Sequence, residues 1–88
     1  MKIKENYALR QIAGTWAVLP LGAATLNFNG MLTLNESGVM LWKLLEQGSD
    51  KAGLTAALLA EYEVSAEEAA ADVDEFLDKL SQAGCLNL

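Results

Sequence analysis

The densest group of chemically active side chains in this sequence is a set of six carboxylates between residues 67 and 78. Carboxylate pairs can act in general acid–base catalysis, and oxygen-rich clusters can bind calcium. The chain has no histidine, which is the commonest general base and metal ligand. The carboxylates also lack the loop spacing of a calcium site. We interpret them as a solvated helix face, and we expect no catalytic residue, no metal site and no cofactor. The six are Glu67, Glu68, Asp72, Asp74, Glu75 and Asp78.

Asp72 is the exception within this group. At 100° per residue it lies at the edge of the apolar face of its helix, beside Phe76 and Lys79, and not in the middle of the polar face. A partner that docked along this edge would contact the three side chains together.

The helix that carries these residues is predicted over residues 66–83. Ser65 and Glu68 form a capping box at its start, and Gly84 follows its end. Residues 85–88 are apolar enough for a short terminal strand or a tail that folds back on the core.

A β-hairpin is predicted at the other end of the chain. Residues 7–12 and 15–19 are rich in β-branched, aromatic and aliphatic side chains, and Ala13-Gly14 suits a tight turn between them. Pro20 has no N–H for a sheet and should end the second strand. Asn29-Gly30 marks a turn or bulge, after which residues 31–34 should form a third strand.

The third strand runs directly into a helix over residues 35–48. Asn35 can cap its start, and Gly48 can close its end in a left-handed conformation. Only a narrow stripe of this helix is polar, with Val39 inside it. We therefore expect a central helix that buries a broad arc of Met40, Leu41, Trp42, Leu44 and Leu45.

A further helix is predicted over residues 51–62, capped by Ser49 or Asp50. Its apolar face should comprise Leu54, Thr55, Leu58, Leu59 and Tyr62. Three strands followed by three helices indicate an α+β domain with a three-stranded antiparallel sheet, and this element content fits a winged helix-turn-helix. We expect one domain over residues 1–88, in which residues 1–6 can be disordered.

The third strand has the features of an unprotected sheet edge. Residues 25–34 contain neither charge nor proline, which natural proteins use to blunt such edges. One interpretation is a central strand, or an edge covered by residues 85–88. The other is a docking edge for an extended peptide. Trp42 is interpreted as core, whereas Trp16 suits either the core or a binding surface.

Charge and cysteine content restrict the class of protein. The net charge is −6, and residues 65–88 carry six carboxylates against one lysine. This acidity argues against a DNA-binding winged helix, because phosphate contacts require Lys and Arg. An acyl carrier is disfavoured by the sequence around Ser37, whereas a structural or homodimeric module remains an alternative. Cys85 is the single cysteine, and no signal peptide or membrane span is evident, so we expect a cytoplasmic protein.

An ordered set of segments resembles the PqqD-like family, whose pattern reads LNxTG followed by hWxLL. Residues 34–38 read LNESG and residues 41–45 read LWKLL, with Ser37 where threonine is common. Residues 61–64 (EYEV), the helix positions from Asp72 to Leu80, Gly84 and Leu9-Arg10 of the hairpin also agree. The similarity covers roughly residues 7–88.

The resemblance implies a winged helix-turn-helix that is not an enzyme. Such proteins are recognition elements for precursors of ribosomally synthesised and modified peptides. They bind the leader segment of the precursor peptide as a strand added to the third β-strand, and they present it to a modifying enzyme, often a radical SAM protein. Nothing in the sequence singles out the pyrroloquinoline quinone pathway. The peptide-binding positions that the resemblance implies are Phe28, Met31, Leu32, Thr33, Leu34, Asp72, Phe76 and Lys79.

Overall fold

A computed structural model describes residues 1–22 and 32–87 of the chain. Within these ranges, three strands of one antiparallel sheet precede three helices, which confirms the predicted α+β winged helix-turn-helix architecture. A pair of very short strands joins the two ends of the chain. The elements in order are β1 Lys2–Ile3, β2 Tyr7–Ile12, β3 Thr15–Pro20, β4 Leu32–Leu34, α1 Glu36–Gln47, α2 Lys51–Glu61, α3 Ala66–Ala83 and β5 Leu86–Asn87.

The hairpin turn sets the register of the sheet. Ala13 and Gly14 have φ angles of 51° and 81°, as in a two-residue type I′ turn, and Ile12 pairs with Thr15 across it. The pair that closes such a turn is hydrogen-bonded, and hydrogen-bonded pairs then alternate along the two strands. Pro20, opposite Tyr7, falls on a position that needs no N–H toward β2. It is the last residue of β3, in agreement with the predicted end of that strand.

Among the described residues the strand order is β2-β3-β4, so β4 lies at an edge of this sheet. Its three residues pair with β3 as Trp16 with Leu34, Ala17 with Thr33 and Val18 with Leu32. The chain tail does not cover the free edge of β4, because β5 pairs with β1 instead. The covered-edge interpretation that used residues 85–88 is therefore wrong.

The first residues of the chain contact two distant parts of the fold. Ile3 is buried, and Lys4 N–H donates to the carbonyl of Cys85 at 3.0 Å. Met1 and Ser49 exchange two hydrogen bonds of 2.9 Å, from the Met1 amino group to the Ser49 carbonyl and from Ser49 N–H to the Met1 carbonyl. The amino-terminal segment is thus hydrogen-bonded both to the α1–α2 connection at Ser49 and to the carboxyl-terminal tail at Cys85.

Side-chain caps begin all three helices. The Oδ1 atoms of Asn35 and Asp50 accept from the N–H groups of Gly38 and Gly53, at 2.9 and 2.7 Å. Ser65 Oγ accepts from Glu68 N–H at 3.1 Å. Each bond satisfies a donor that the first helical turn leaves free. Ser49 and Asp50 were the two candidate caps for α2, and Asp50 is the residue that caps it.

Two helical faces differ from the helical-wheel expectation. On α1, Val39 is buried although it lies in the predicted polar stripe, and Leu44 is exposed. On α2, Leu59 is exposed, as is Tyr62 just after its end, whereas Leu54 and Leu58 are buried. Periodicity shows which side chains are apolar, but burial depends on which side the neighbouring elements approach. Trp42 and Leu45 lie in the centre of the core, as expected.

Candidate functional site

A groove of about 190 Å³ lies between the amino-terminal half of α1 and the middle of α3. Helix α2 closes its inner end through Leu58. The groove is lined by Asn35, Ser37, Gly38, Leu41, Leu58, Asp72, Glu75, Phe76 and Lys79.

The floor of the groove is a close approach of three elements at Gly38. A Cβ atom at this position would lie 3.3 Å from Leu34 Cβ on β4 and 3.5 Å from Phe76 Cε1 on α3. It would also lie 3.3 Å from Asn35 Oδ1, which caps α1 and accepts from Ser37 Oγ at 3.0 Å. The absence of a side chain at Gly38 thus lets the strand, the cap and the Phe76 ring meet.

The outer wall is one face of α3. Asp72, Glu75, Phe76 and Lys79 are spaced i, i+3, i+4 and i+7, so they lie within an arc of about 100°. Phe76 is buried toward the floor, and the three charged side chains are exposed along the rim. In the described part of the chain, none of these three charges lies within ion-pairing distance of an opposite charge. The α3 side of the groove therefore has Phe76 at its base and three charged side chains of both signs along its rim, without ion-pair partners among the described residues.

The free edge of β4 lies beside the groove, since Leu34 borders its floor. Along β2 and β3, hydrogen-bonded pairs alternate with non-hydrogen-bonded pairs, starting from the hydrogen-bonded pair Ile12–Thr15. Trp16 and Val18 therefore fall on non-hydrogen-bonded positions relative to β2, and their N–H and C=O groups face β4. Leu32 and Leu34 are bonded to β3 as a result, and the N–H and C=O of Thr33 point away from the sheet. Within the described residues, no strand pairs with that edge. It can accept an added strand through Thr33.

The structure places three of the eight peptide-binding positions that the resemblance implies in the lining of the groove. These are Asp72, Phe76 and Lys79, and Leu34 lies next to Gly38 at the floor. Leu32 and Thr33 belong to the adjacent edge and do not line the groove. Phe28 and Met31 lie outside the described residues.

Six lining residues were missed: Asn35, Ser37, Gly38, Leu41, Leu58 and Glu75. Glu75 had a usable signal, because it lies one turn from Asp72 on the same side of α3. Gly38 belongs to the LNESG segment of the family pattern, but neither that pattern nor the position of Leu58 indicated a groove, since their place in it depends on how three helices pack.

Other chemistry is sparse in the described ranges. No group of His, Cys, Asp and Glu side chains there has the geometry to hold a metal ion. Cys85 is buried, and desolvation raises the pKa of its thiol to about 11, so the thiolate form is disfavoured at neutral pH. None of the helices in these ranges has the length and apolar character that a membrane span requires.

Comparisons with known proteins agree with this architecture. The sequence matches the family described as Coenzyme PQQ synthesis protein D (PqqD) over residues 16–86. The chain therefore belongs to the PqqD family. No curated protein matches it significantly.

Two solved structures share the fold over nearly the whole chain. TbiB1, in complex with the TbiA(beta) leader peptide, is 26% identical, with a TM-score of 0.77 over 99% of this chain and 95% of that one. Lasso peptide synthetase B1, complexed with the leader peptide, is 20% identical, with a TM-score of 0.74 over 96% of this chain and 93% of that one.

Proposed function

We infer that this protein is a non-catalytic adaptor that binds the leader segment of a ribosomally synthesised precursor peptide. The leader adds as a strand to the free edge of β4 and lays side chains into the groove between β4 and α3. The observation that carries this proposal is the outward-facing backbone of Thr33, which no strand of the described residues covers, next to a groove with an apolar floor. The two leader-peptide complexes that share the fold support it.

The two parts of the site have complementary roles in this proposal. An added strand gains main-chain hydrogen bonds from a sheet edge, and these give affinity whatever the peptide sequence. Alternate side chains of the strand point to one face, so every second residue of the peptide would face the groove. Phe76 and the α3 rim then supply the sequence preference.

The peptide-modifying enzyme is the second proposed partner, and a radical SAM protein is one candidate class. The adaptor holds the leader and leaves the remainder of the precursor to that enzyme. A rival use of the same edge is pairing with a second copy of this chain, because an unpaired strand can pair with its equivalent. That homodimer would compete with the peptide for Thr33.

The first test is a titration of ¹⁵N-labelled protein. The probe is a synthetic peptide copied from the amino-terminal half of a small open reading frame beside the gene. We expect micromolar or tighter binding, with chemical-shift changes in residues 28–34 and 69–80. Changes confined to the alanine face of α2, at Ala56, Ala57 and Ala60, would contradict this groove as the site.

A proline substitution tests strand addition itself. Thr33→Pro removes the outward N–H, and proline is tolerated on an edge strand where that N–H faces solvent. Thr33→Ala is the matched control, because it removes the same side chain and keeps the donor. Loss of one hydrogen bond is worth roughly 0.5–1.5 kcal/mol, and the ring also obstructs the incoming strand, so we expect about tenfold weaker binding.

Leu32→Pro gives the contrasting result, because its N–H is directed to β3. That variant should lose stability, whereas Thr33→Pro should keep the circular dichroism and melting temperature of Thr33→Ala. Equal peptide affinity for Thr33→Pro and Thr33→Ala would exclude strand addition at this edge. A dimer that Thr33→Pro dissociates, with no peptide binding by either variant, would favour the homodimer.

A further inference from the structure

The charges along the rim of the groove indicate which peptide side chains it would favour. Asp72 and Glu75 lie toward the amino-terminal end of the wall and Lys79 toward its carboxyl-terminal end, and all three line the groove with Phe76. Asp74, one residue away on α3, shows the contrast. It pairs with Lys51 at 2.7 Å on the α2 side, whereas the three rim charges have no such partner in the described ranges.

We propose that the groove selects leader peptides that carry a basic and an acidic side chain two or four residues apart on one face of the added strand. The basic side chain faces Asp72 and Glu75, and the acidic one faces Lys79. This inference rests on the proposed function, because it specifies the substrate class of the same groove.

For an added strand that lies along the axis of α3, the spacing follows from helix and strand geometry. Glu75 and Lys79 are four residues apart, about 6 Å along the axis of α3, and Asp72 and Lys79 are seven apart, about 10.5 Å. Side chains on one face of a strand recur every second residue, at intervals of about 6.8 Å. A separation of two residues matches the Glu75–Lys79 interval, and the Asp72–Lys79 interval lies between separations of two and four. A separation of three residues would place the two charges on opposite faces of the peptide.

The mixed sign of the rim distinguishes this preference from general electrostatic attraction. A chain with a net charge of −6 attracts any basic peptide at long range. Lys79 adds a local requirement of the opposite sign, because a basic side chain beside it would be repelled. A uniformly basic peptide should therefore bind less well than one with the paired pattern.

Selection from a random library tests the proposal. The full chain is immobilised and used to select displayed random peptides of about twelve residues, long enough to span the groove at ~3.4 Å per residue. Selection is repeated with Lys79→Glu, and with Lys2→Glu as a control of equal net charge on the exposed face of β1. Representative peptides are then measured by fluorescence anisotropy, with Thr33→Pro to identify those that use the β4 edge.

We expect peptides selected on the wild-type chain to be enriched in a basic and an acidic residue at the stated spacing. Neutralising either peptide charge should weaken binding roughly two- to fivefold, the range of a partly exposed ion pair. Lys79→Glu should shift the enriched acidic position to a basic one, and Lys2→Glu should not.

Two results would overturn the inference in distinguishable ways. Peptides that depend on Thr33 but lack the charge pattern, or that respond equally to Lys79→Glu and Lys2→Glu, would refute the charge selection and leave peptide binding intact. If no selected peptide is sensitive to Thr33→Pro, the proposed function itself fails, and the charge selection fails with it.

Discussion

Two glycines of this chain occupy equivalent helical positions, and comparing them isolates the close packing under the groove. Gly38 and Gly53 are each the third residue of a helix, and each donates its N–H to the side chain of the cap residue three positions earlier. A Cβ atom would meet that cap oxygen at nearly the same distance, 3.3 Å at Gly38 and 3.2 Å at Gly53. Replacement by alanine therefore changes helix propensity and cap crowding almost equally at both sites.

The remaining neighbours differ in their ability to move. At Gly53 the added methyl meets Ser49 Oγ at 2.8 Å, and this hydroxyl can rotate away. Alanine is favoured over glycine in a helix by up to about 1 kcal/mol, less in the first turn, so Gly53→Ala should stabilise the protein by roughly 0.5 kcal/mol. At Gly38 the methyl meets Leu34 Cβ, which the β4 backbone holds in place. Overpacking of this kind costs about 1–3 kcal/mol.

The expected difference between the two variants is therefore at least ~1 kcal/mol in the free energy of unfolding, with Gly38→Ala the less stable. In a domain of this size, that difference corresponds to about 4–8 °C in melting temperature. Urea unfolding followed by circular dichroism measures it directly. The added methyl also raises the floor beneath the peptide, so we expect about tenfold weaker leader binding for Gly38→Ala and no change for Gly53→Ala.

Equal stability and equal leader-peptide affinity of Gly38→Ala and Gly53→Ala would refute the close packing under the groove. That result would mean that Leu34 and Phe76 yield freely, and that the groove has no fixed floor. A destabilised Gly38→Ala with unchanged affinity would keep the packing argument and remove Gly38 from the peptide site.

Three further predictions concern parts of the molecule away from the groove. Because burial raises the pKa of Cys85 to about 11 from 9.0, the unfolded thiol loses its proton first as pH rises. Stability should fall through that interval, and Cys85→Ala should reduce the fall in urea unfolding between these pH values. The Lys51–Asp74 pair is half exposed, so a double-mutant cycle should give under ~1 kcal/mol and decrease with added salt. Ser65→Ala removes the acceptor of the Glu68 N–H and should cost about 1 kcal/mol in thermal unfolding, whereas Ser65→Asp should restore most of it.

The elements that the sequence predicts best are those with signals at their own ends. Helix α3 begins after Ser65 and ends before Gly84, as the capping box and the terminal glycine indicate. The hairpin follows from Ala13-Gly14 and the composition of its strands. In each case the determining contacts join residues within a few positions of one another, so a pattern in the sequence records them.

The elements that could not be predicted depend on contacts between distant positions. Strand β1 was not predicted, and for residues 85–88 the sequence left a short terminal strand and a tail folded back on the core as alternatives. Strands β1 and β5 have two residues each, too few for any periodicity, and they pair where Ile3 lies opposite Leu86 from the other end of the chain. The burial of Val39 and the exposure of Leu44 have the same origin. Both are apolar residues of one helix, and only the direction from which its neighbours approach separates them.

The candidate site combines both kinds of determinant. Asp72, Phe76 and Lys79 could be recognised as a group because their helical spacing places them on one face of α3, and the structure puts all three in the groove. The role of Gly38 was hidden, because it depends on how closely Leu34 and Phe76 approach from other elements.

The direction of the Thr33 backbone shows how a short-range signal can determine a distant surface. The turn at Ala13-Gly14 makes Ile12–Thr15 a hydrogen-bonded pair. Because hydrogen-bonded positions alternate along each strand, this pair determines which residues of β3 bond to β4, and so which way the backbone of Thr33 faces. Inserting or deleting one residue in that turn would shift the pairing of β2 and β3 by one position. Core packing of Val18 and Leu34 holds β3 in place, so β2 would have to absorb the shift and turn its own side chains over. The N–H of Thr33 should therefore keep its outward direction even when the turn is changed, because core packing holds β3 and β4 in their present register.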